Sequence, residues 1–209
     1  MAFNEDTRVK IPAILTLTRL GYEYVSIKSR TDIDPVTNIF KDIFFTSLRE
    51  LNPNTDEADL QKFFNKIQTM LDNEDLGKEF YKNLITSSGV KLIDWDNPKK
   101  NKLHVCTELT YGNKDEDNFR PDITLLINGM PLAFIEVKKP NNREGILAER
   151  KRVEDRFKNR KFRRFINISQ ILMFSNNMEY EDDDVEPIQG AFYATTSKGK
   201  AFFIAFLLA

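Results

Sequence analysis

The sequence predicts an α/β fold in which helices flank a mixed central sheet. Segments with the apolar spacing of amphipathic helices fill the chain up to about residue 88, and short β-branched and aromatic runs dominate the remainder. Two apolar runs, 123–127 and 132–137, surround an Asn128-Gly129 pair, which is the strongest short-range indication of a β-hairpin. The residues from 120 to 140 therefore organise the rest of the chain.

Length and composition indicate one soluble domain. A chain of 209 residues can bury one ample core, so we expect a single domain over 1–209, with a helical part at about 1–88 and a sheet core at about 89–200. A net charge of -1 excludes a polycation, and the single cysteine excludes an internal disulfide framework. No apolar run approaches the roughly 18 residues of a membrane span, and no signal peptide is visible, so we expect a cytoplasmic protein without membrane contact.

The first half of the chain is expected to be mainly helical. A helix is predicted over 1–20, or from near Ile11 with Pro12 in its first turn, where a missing N–H is tolerated, and Gly21 is its natural stop. Alternation over 22–27 predicts a strand. Further helices are predicted at 39–51, 55–71 and 73–85.

The second half is expected to supply the sheet. A helix is predicted over 144–160, after the hairpin. Besides the hairpin, strands are predicted at 90–93, 103–109, 168–174 and 190–196. The apolar end, 201–208, is expected to pack on the core, on another domain or on a partner.

The length of the hairpin loop decides which side chains face each other. A two-residue loop at Asn128-Gly129 would place Asp122 and Glu136 on opposite faces, because side chains alternate along a strand. A three-residue loop over 128–130, or an equivalent bulge, pairs 122 with 136 and leaves their Cβ atoms about 5 Å apart. We expect this second arrangement.

Opposed carboxylates in a sheet repel each other unless a cation lies between them. Mg²⁺ favours one or two carboxylates together with water and phosphate oxygens, so Asp122 and Glu136 are candidate ligands. Lys138 lies two residues beyond Glu136 and therefore shares its face, where it could orient or activate a water molecule.

Other chemically able side chains give weaker indications. His104 is the only histidine and has no His or Cys partner at metal spacing, so it is predicted to be structural. Cys106 lacks a histidine-based triad and is expected in the core. Glu108 ends a strand that we expect beside the hairpin, so a role at the site stays open. The acidic run 179–186 is predicted to be an exposed loop.

The hairpin residues also resemble a known motif. Pro121-Asp122, followed by Glu136-Val137-Lys138 at the end of an apolar strand, resembles the PD-(D/E)xK nuclease motif. The flanking words GYEYVS, SQILMFSNN and GAFYATTS are similar to the N-terminal nuclease domain of type I restriction enzyme R subunits, and the resemblance covers nearly the whole chain.

The resemblance implies a restriction-endonuclease-like core with a Mg²⁺ site. It implies Asp122, Glu136 and the backbone carbonyl of Val137 as metal ligands, with Lys138 as a further catalytic residue. It also suggests Glu5, on the first helix, as a ligand; the alternative is a first-turn glutamate favoured by the helix dipole.

A basic stretch after the motif suggests contact with DNA. Residues 138–164 hold 12 Lys and Arg against 4 Asp and Glu, so the local balance is 12 - 4 = +8. The alternative is a solvated helix face with internal ion pairs. The Gln-x-x-x-Tyr motif of many R subunits is missing from EGILAERKRVEDRF, so either arginines take its role or DNA is handled differently. Expected DNA contacts are Arg120, Lys139, Arg143, Arg150, Arg152 and Arg156.

By resemblance, the expected activity is that of a type I site-specific deoxyribonuclease: Mg²⁺-dependent hydrolysis of DNA without sequence readout by this domain. R subunits continue into an ATP-driven translocase, and this chain has no GxxxxGK[ST] phosphate loop, so ATP is expected only at motor domains absent here. Expected partners are double-stranded DNA and the methylation and specificity subunits. Two alternatives stay open: another PD-(D/E)xK nuclease for repair or stand-alone restriction, and a non-catalytic DNA-binding or assembly module.

Overall fold

The structure is a computed structural model with an α/β architecture, which confirms the predicted fold class. It describes residues 9–28, 30–86, 88–112, 118–137, 148, 151–152 and 155–175, with side chains up to Met173, and the backbone of 191–195 and 202–206. The described helices are α1 (Ile11–Arg19), α2 (Lys41–Leu51), α3 (Glu57–Met70), α4 (Lys78–Ile85) and α5 (Arg163–Ile168). The strands are β1 (Glu23–Tyr24), β2 (Leu103–Thr107), β3 (Ile123–Ile127), β4 (Met130–Val137), β5 (Ile171–Ser175), β6 (Ala191–Thr195) and β7 (Phe202–Phe206).

The strands form one mixed sheet in chain order, from β1 at one edge to β7 at the other. β1 runs parallel to β2, and β4 runs parallel to β5, while the other neighbours are antiparallel. The parallel pairing of β4 with β5 requires a crossover, and α5 lies in that connection. The hairpin of β3 and β4 therefore sits inside the sheet, with a strand on each side.

Helices pack on the hairpin both next to its turn and further along β4. α2, α3 and α4 enclose a hydrophobic cluster with Met130 and Leu132, next to the turn. A second, aromatic cluster contains Phe134 of β4 and Phe165 of α5, whose ring centroids lie 5.3 Å apart. Apolar burial of this kind is the main stabilising contribution to folding, and here it holds the hairpin against helices α2, α3, α4 and α5.

Local chemistry explains the helix ends that the sequence predicted. α1 begins at Ile11 with Pro12 in its first turn, and Gly21 follows with a φ of 98°, a conformation that glycine adopts without strain. At α3, the Asp56 side chain accepts a hydrogen bond from the N–H of Asp59, as an N-cap residue does.

Two strand predictions in the first hundred residues are wrong or too long. Residues 90–93 form no strand, because the side chain of Asn52 satisfies this backbone instead: its Nδ2 donates to Lys91 O, and its Oδ1 accepts from Lys91 N, at 2.9 and 2.7 Å. Leu92 and Ile93 are still buried in the cluster beside α2. The strand predicted over 22–27 shrinks to Glu23–Tyr24.

The last third follows the prediction with one shift. Ile168 ends α5 and β5 begins only at Ile171, so the strand predicted over 168–174 starts too early. The apolar end supplies β7, which pairs with β6 and extends the sheet. Of the helix predicted over 144–160, residues 148, 151–152 and 155–158 are helical, whereas 144–147, 149–150 and 153–154 lie outside the described residues. Among the described helices, none is long and apolar enough to cross a lipid bilayer.

Candidate active site

The hairpin contains a bulge that sets its register. Asn128 and Gly129 both have positive φ, 52° and 79°, as a two-residue type I′ turn requires. Ile127 pairs with Met130 next to this turn, but the register shifts between Leu125 and Leu126, so that Leu132 on β4 becomes an extra residue. The expected three-residue loop is therefore wrong, and the equivalent bulge is confirmed.

Proline at position 131 explains why the bulge forms there. Pro131 pairs with Leu126 directly before the register shift. Proline has no N–H to donate to a ladder and is tolerated in sheets at edges and bulges. Pro131, directly before the apolar run 132–137, was the sequence signal for this irregularity.

The turn is held in place by its own side chain and by the helix beside it. Asn128 is fully buried; its Nδ2 donates to Leu92 O at 2.9 Å, and its Oδ1 accepts from Lys102 N at 2.8 Å. The carbonyl of Gly129 accepts from Phe40 N at 2.9 Å. These bonds fix the position from which both strands of the hairpin run toward the site.

Beyond the bulge, the register brings the two predicted carboxylates together. Ile123 pairs with Ile135, and continuing this register places Asp122 opposite Glu136. Asp122 Oδ2 accepts a hydrogen bond from Val137 N at 2.9 Å, which ties the end of one strand to the other. Glu136 is only 9% exposed. Burial of a carboxylate here is costly unless a positive or hydrogen-bonding group faces it.

A lysine that the sequence did not single out lies at the same place. Lys10 Nζ donates to Glu108 Oε1 at 3.3 Å and lies 3.7 Å from Asp122 Oδ1. Its neighbour Val9 is buried in a hydrophobic cluster with Ile123, so the entry to α1 is fixed against the hairpin. No spacing pattern in the sequence links residue 10 to the motif, because the contact depends on tertiary packing.

Glu108 joins the site from β2 in a strained backbone conformation. Its φ is 57°, unusual for a residue other than glycine, and its N–H faces the carbonyls of Pro121 and Asp122 at 3.2 and 3.4 Å. Such outliers concentrate at functional sites, where surrounding structure holds them. The possible role left open for Glu108 is thus supported by position, since it contacts the lysine that also approaches Asp122.

The donor set suits a hard divalent cation. Among the described residues, Glu108, Asp122 and Glu136 carry three negative charges against one on Lys10, a balance of 1 - 3 = -2. Two opposed carboxylates with water match the oxygen ligands that Mg²⁺ prefers. Within the described ranges, no three His, Cys, Asp or Glu side chains form a ready-made metal cage. The residues present fit a cation that keeps several water ligands.

The family was identified by comparison with known proteins. A family model described as the type I restriction enzyme R protein N terminus matches residues 2–181. The chain belongs to this family. The expected resemblance is therefore confirmed, and the opposed carboxylates lie in an R-protein N-terminal domain.

Curated relatives carry matching names. The chain is 29% identical over 239 residues to the putative type I restriction enzyme MjaIXP endonuclease subunit of Methanocaldococcus jannaschii, covering 92% of this chain and 22% of the relative. It is 24% identical over 212 residues to a type I restriction enzyme endonuclease subunit of Staphylococcus aureus strain COL, covering 95% and 22%. The chain therefore spans about a fifth of the length of these relatives.

Several predicted site residues of this R-protein N-terminal domain lie outside the described residues. The structure therefore tests neither their positions nor their roles, which stay predictions. They are Glu5, Lys138, Lys139, Arg143 and Arg150. Val137, the predicted backbone ligand, is described and buried at the end of β4.

Two of the predicted DNA-contacting arginines lie close to the approach to the motif. Arg120 is exposed directly before Pro121. The guanidinium carbon of Arg156 lies 3.8 Å from the centroid of the Phe119 ring, a cation–π contact. Phe119 is itself buried in the aromatic cluster, so the helical segment at 155–158 packs on the residues that lead into β3. Arg152, a third candidate, is exposed.

The end of the basic stretch is paired with acidic residues of the R-protein domain. Arg160 and Arg163 both contact Glu74 Oε1, at 2.5 and 2.7 Å, and Arg164 lies 3.4 Å from Asp72. Much of the positive charge near the end of 138–164 therefore binds the loop between α3 and α4. These three arginines are paired with a loop distant in sequence, so the balance of +8 overstates the charge that is available to DNA. The alternative of ion pairs within the helix face stays a prediction, because Glu149 and Glu154 lie outside the described residues.

The structure gives no support for a catalytic role of His104 or Cys106. Burial lowers the pKa of His104, and its Nε2 lies 3.8 Å from Glu23 at the β1 edge; its structural role stays a prediction. Burial raises the pKa of Cys106 to about 12, so its thiol stays protonated at neutral pH and is a poor nucleophile.

Proposed function

We propose that this domain is the Mg²⁺-dependent DNA endonuclease domain of a type I restriction-modification R subunit. The observation that carries the proposal is the bulged hairpin, whose register sets Asp122 against the buried Glu136 in a chain of the R-protein N-terminal family. Like charges facing each other in a sheet are unfavourable without a compensating cation. A purely structural hairpin would have no use for them.

Each residue of the site has a proposed task. Asp122 and Glu136 would hold Mg²⁺, with the carbonyl of Val137 as a further ligand. When bound, the cation would lower the pKa of a coordinated water and stabilise charge on the phosphate. The hydrogen bond from Val137 N to Asp122 Oδ2 orients this carboxylate and places Oδ1 on the side of Lys10, where it would be available to the cation. Lys138 would orient or activate the attacking water.

The substrate and partners are proposals of the same kind. Double-stranded DNA would be held without sequence readout, through the phosphate contacts expected of Arg120, Arg152 and Arg156, because backbone contacts carry no base information. Lys139, Arg143 and Arg150 would extend that contact. Methylation and specificity subunits would join through the full-length R subunit, whose motor would use ATP.

The family assignment favours this function over a repair or stand-alone restriction nuclease. A non-catalytic DNA-binding or assembly module would differ in a measurable way, since it would bind DNA in a salt-dependent manner without binding a divalent cation at the hairpin. No contact in the described part of the chain favours that module.

The proposal is tested with Asp122→Asn and Glu136→Gln, which remove charge at almost constant shape. Mn²⁺ binding is measured by calorimetry, and plasmid nicking is followed in the same samples. Wild type should bind and nick, and each variant should lose at least about tenfold in metal affinity, the loss expected for about 1.4 kcal/mol. Asp59→Asn on α3 is the matched control: it removes the charge of an exposed carboxylate, paired with Lys62 at 2.9 Å away from the hairpin, and should behave as wild type.

The outcomes separate the candidate functions. Metal binding without nicking would indicate a nuclease domain that depends on its motor or partner subunits. Metal binding that survives both substitutions would exclude the hairpin as the metal site. Salt-sensitive DNA binding with no metal binding at all would favour the non-catalytic module.

A further inference from the structure

Lys10 is a partly buried cation within the candidate site. Its side chain is 12% exposed, whereas the Glu108 side chain that accepts its hydrogen bond is 55% exposed. A lysine normally keeps its ammonium group in water and buries only its stem. Holding this ammonium 3.7 Å from Asp122 Oδ1 therefore requires the negative charge of the site.

The two oxygens of Asp122 have different described contacts. Oδ2 accepts the hydrogen bond from Val137 N at 2.9 Å, and Oδ1 is the oxygen near Lys10. A divalent cation that uses Oδ1 would lie within a few ångströms of the Lys10 nitrogen. Like charges at about 4 Å repel by about 4 kcal/mol at a protein-like effective dielectric constant, and by less where solvent screens them.

We propose that Lys10 is the resident counter-ion of this carboxylate site, and that its ammonium group leaves Asp122 for Glu108 when a divalent cation binds. Glu108 is placed to receive it, because it already accepts a hydrogen bond from Lys10 Nζ at 3.3 Å, shorter than the 3.7 Å to Asp122 Oδ1. The inference rests on the proposed function, which supplies the divalent cation. The movement of Lys10 away from Asp122 would lower the affinity of the site for a divalent cation.

The exchange also explains the arrangement of the two carboxylates on β2 and β3. Glu108 follows β2 and Asp122 precedes β3, so the two side chains meet at the same end of the sheet. Positive φ at Glu108 places its N–H toward the carbonyls of Pro121 and Asp122. This contact fixes the position of the Glu108 carboxylate relative to that of Asp122. A flexible surface pair would not need this backbone conformation.

The test is Mn²⁺ binding by the metal-free 209-residue chain and its Lys10→Met variant, measured by calorimetry. Methionine keeps the length and apolar stem of lysine without its charge. We expect about tenfold tighter binding, since removing a nearby like charge in a partly screened site is of that order. Lys62→Met, which removes another lysine–aspartate pair on α3, should leave Mn²⁺ affinity unchanged.

A second readout does not depend on affinity. Without metal, Lys10→Met removes the ammonium group that faces Glu108 and Asp122, so its melting temperature should fall below that of wild type. Added Mn²⁺ should then raise its melting temperature by more than it raises that of wild type, because tighter binding to the folded state gives greater stabilisation.

Glu108→Gln gives an independent test if Lys10→Met fails to fold. Its Lys10 loses the receiving carboxylate, so Mn²⁺ should bind more weakly than to wild type. In the Lys10→Met background, the same Glu108→Gln substitution should have no further effect, as a double-mutant cycle would show. An equal loss in both backgrounds would mean that Glu108 acts on the metal directly, which would overturn the exchange.

Failure of this inference differs from failure of the proposed function. If wild type binds Mn²⁺ and Asp122→Asn does not, yet Lys10→Met binds no more tightly than wild type, the counter-ion role is wrong and the nuclease site stands. If no variant shows binding that depends on Asp122, both proposals are overturned.

Discussion

Asp122 combines a structural contact with its proposed chemical role. One carboxylate oxygen accepts from the N–H of Val137, a residue only 2% exposed, and the other faces Lys10. A substitution here therefore changes two things at once: the charge of the site and the satisfaction of a buried N–H group. The two can be separated by the choice of replacement.

Asp122→Asn and Asp122→Ala should both lose metal binding but differ in stability. Asparagine can still accept from Val137 N, whereas alanine leaves this donor unsatisfied, which costs about 1–3 kcal/mol. Chemical denaturation of both variants measures the difference. Equal free energies of unfolding would show that the hydrogen bond contributes little.

His104 gives a pH-dependent prediction. Burial lowers the pKa of His104, partly opposed by Glu23, so the unfolded state binds the proton more readily than the folded state. Stability should therefore fall as pH drops below about 6.5, the pKa of an unperturbed histidine. His104→Gln should have a flatter melting temperature between about pH 7.5 and 5.5. Parallel loss in both proteins would assign the effect to other groups.

At the scale of elements, the hairpin shows what sequence pattern can and cannot predict. Asn128-Gly129 predicted the turn, and the two apolar runs predicted the strands. The exact register depended on Pro131, whose missing N–H places the irregularity within β4 instead of in the loop. A turn can be predicted from the residues that form it, whereas the position of a bulge depends on how both strands pair.

Gly129→Ala should damage the hairpin more than Gly21→Ala. Both glycines have positive φ, 79° and 98°, but a Cβ at 129 would lie 2.7 Å from Phe40 O and Phe44 N, whereas nothing lies within 4 Å at 21. Left-handed strain alone costs about 1–2 kcal/mol, and overpacking adds about 1–3 kcal/mol. Denaturant titration of the two variants checks this order. Equal losses would mean that α2 moves away freely.

At the scale of the whole molecule, charge is unevenly distributed. The net charge is -1, yet the basic stretch concentrates positive residues after the motif, and Asp72 and Glu74 neutralise only its end. DNA contact should therefore depend on the arginines nearer the site, of which Arg120 is the one adjoining Pro121-Asp122.

Arg120→Gln should weaken DNA binding and reduce the salt dependence of log K by about one unit of slope. Arg49→Gln is the matched control, because it removes the same charge from α2, where Arg49 pairs with Glu57. Fluorescence anisotropy with duplex DNA at several salt concentrations measures both. If the two variants weaken binding equally, only net charge matters, and Arg120 is no specific contact.

Across the molecule, sequence predicted the layers and the motif better than the contacts between them. Helices with clear apolar spacing and the carboxylates of the motif were identified because their signals are local. Residues 90–93 were mistaken for a strand, since the bonds from Asn52 come from a residue far along the chain. Lys10 was missed for the same reason: it reaches the site only after α1 has packed.

The extra residue at Leu132 has a consequence for how this hairpin can vary in length. A two-residue turn alone would leave Asp122 and Glu136 on opposite faces of the hairpin. The bulge at Leu132 adds the one residue that brings both carboxylates to the same face. Adding or deleting one residue would reverse the parity and turn one carboxylate away, unless the bulge disappeared in the same step. Hairpins that keep this pair should therefore change length by even numbers, or by one residue together with loss of the bulge.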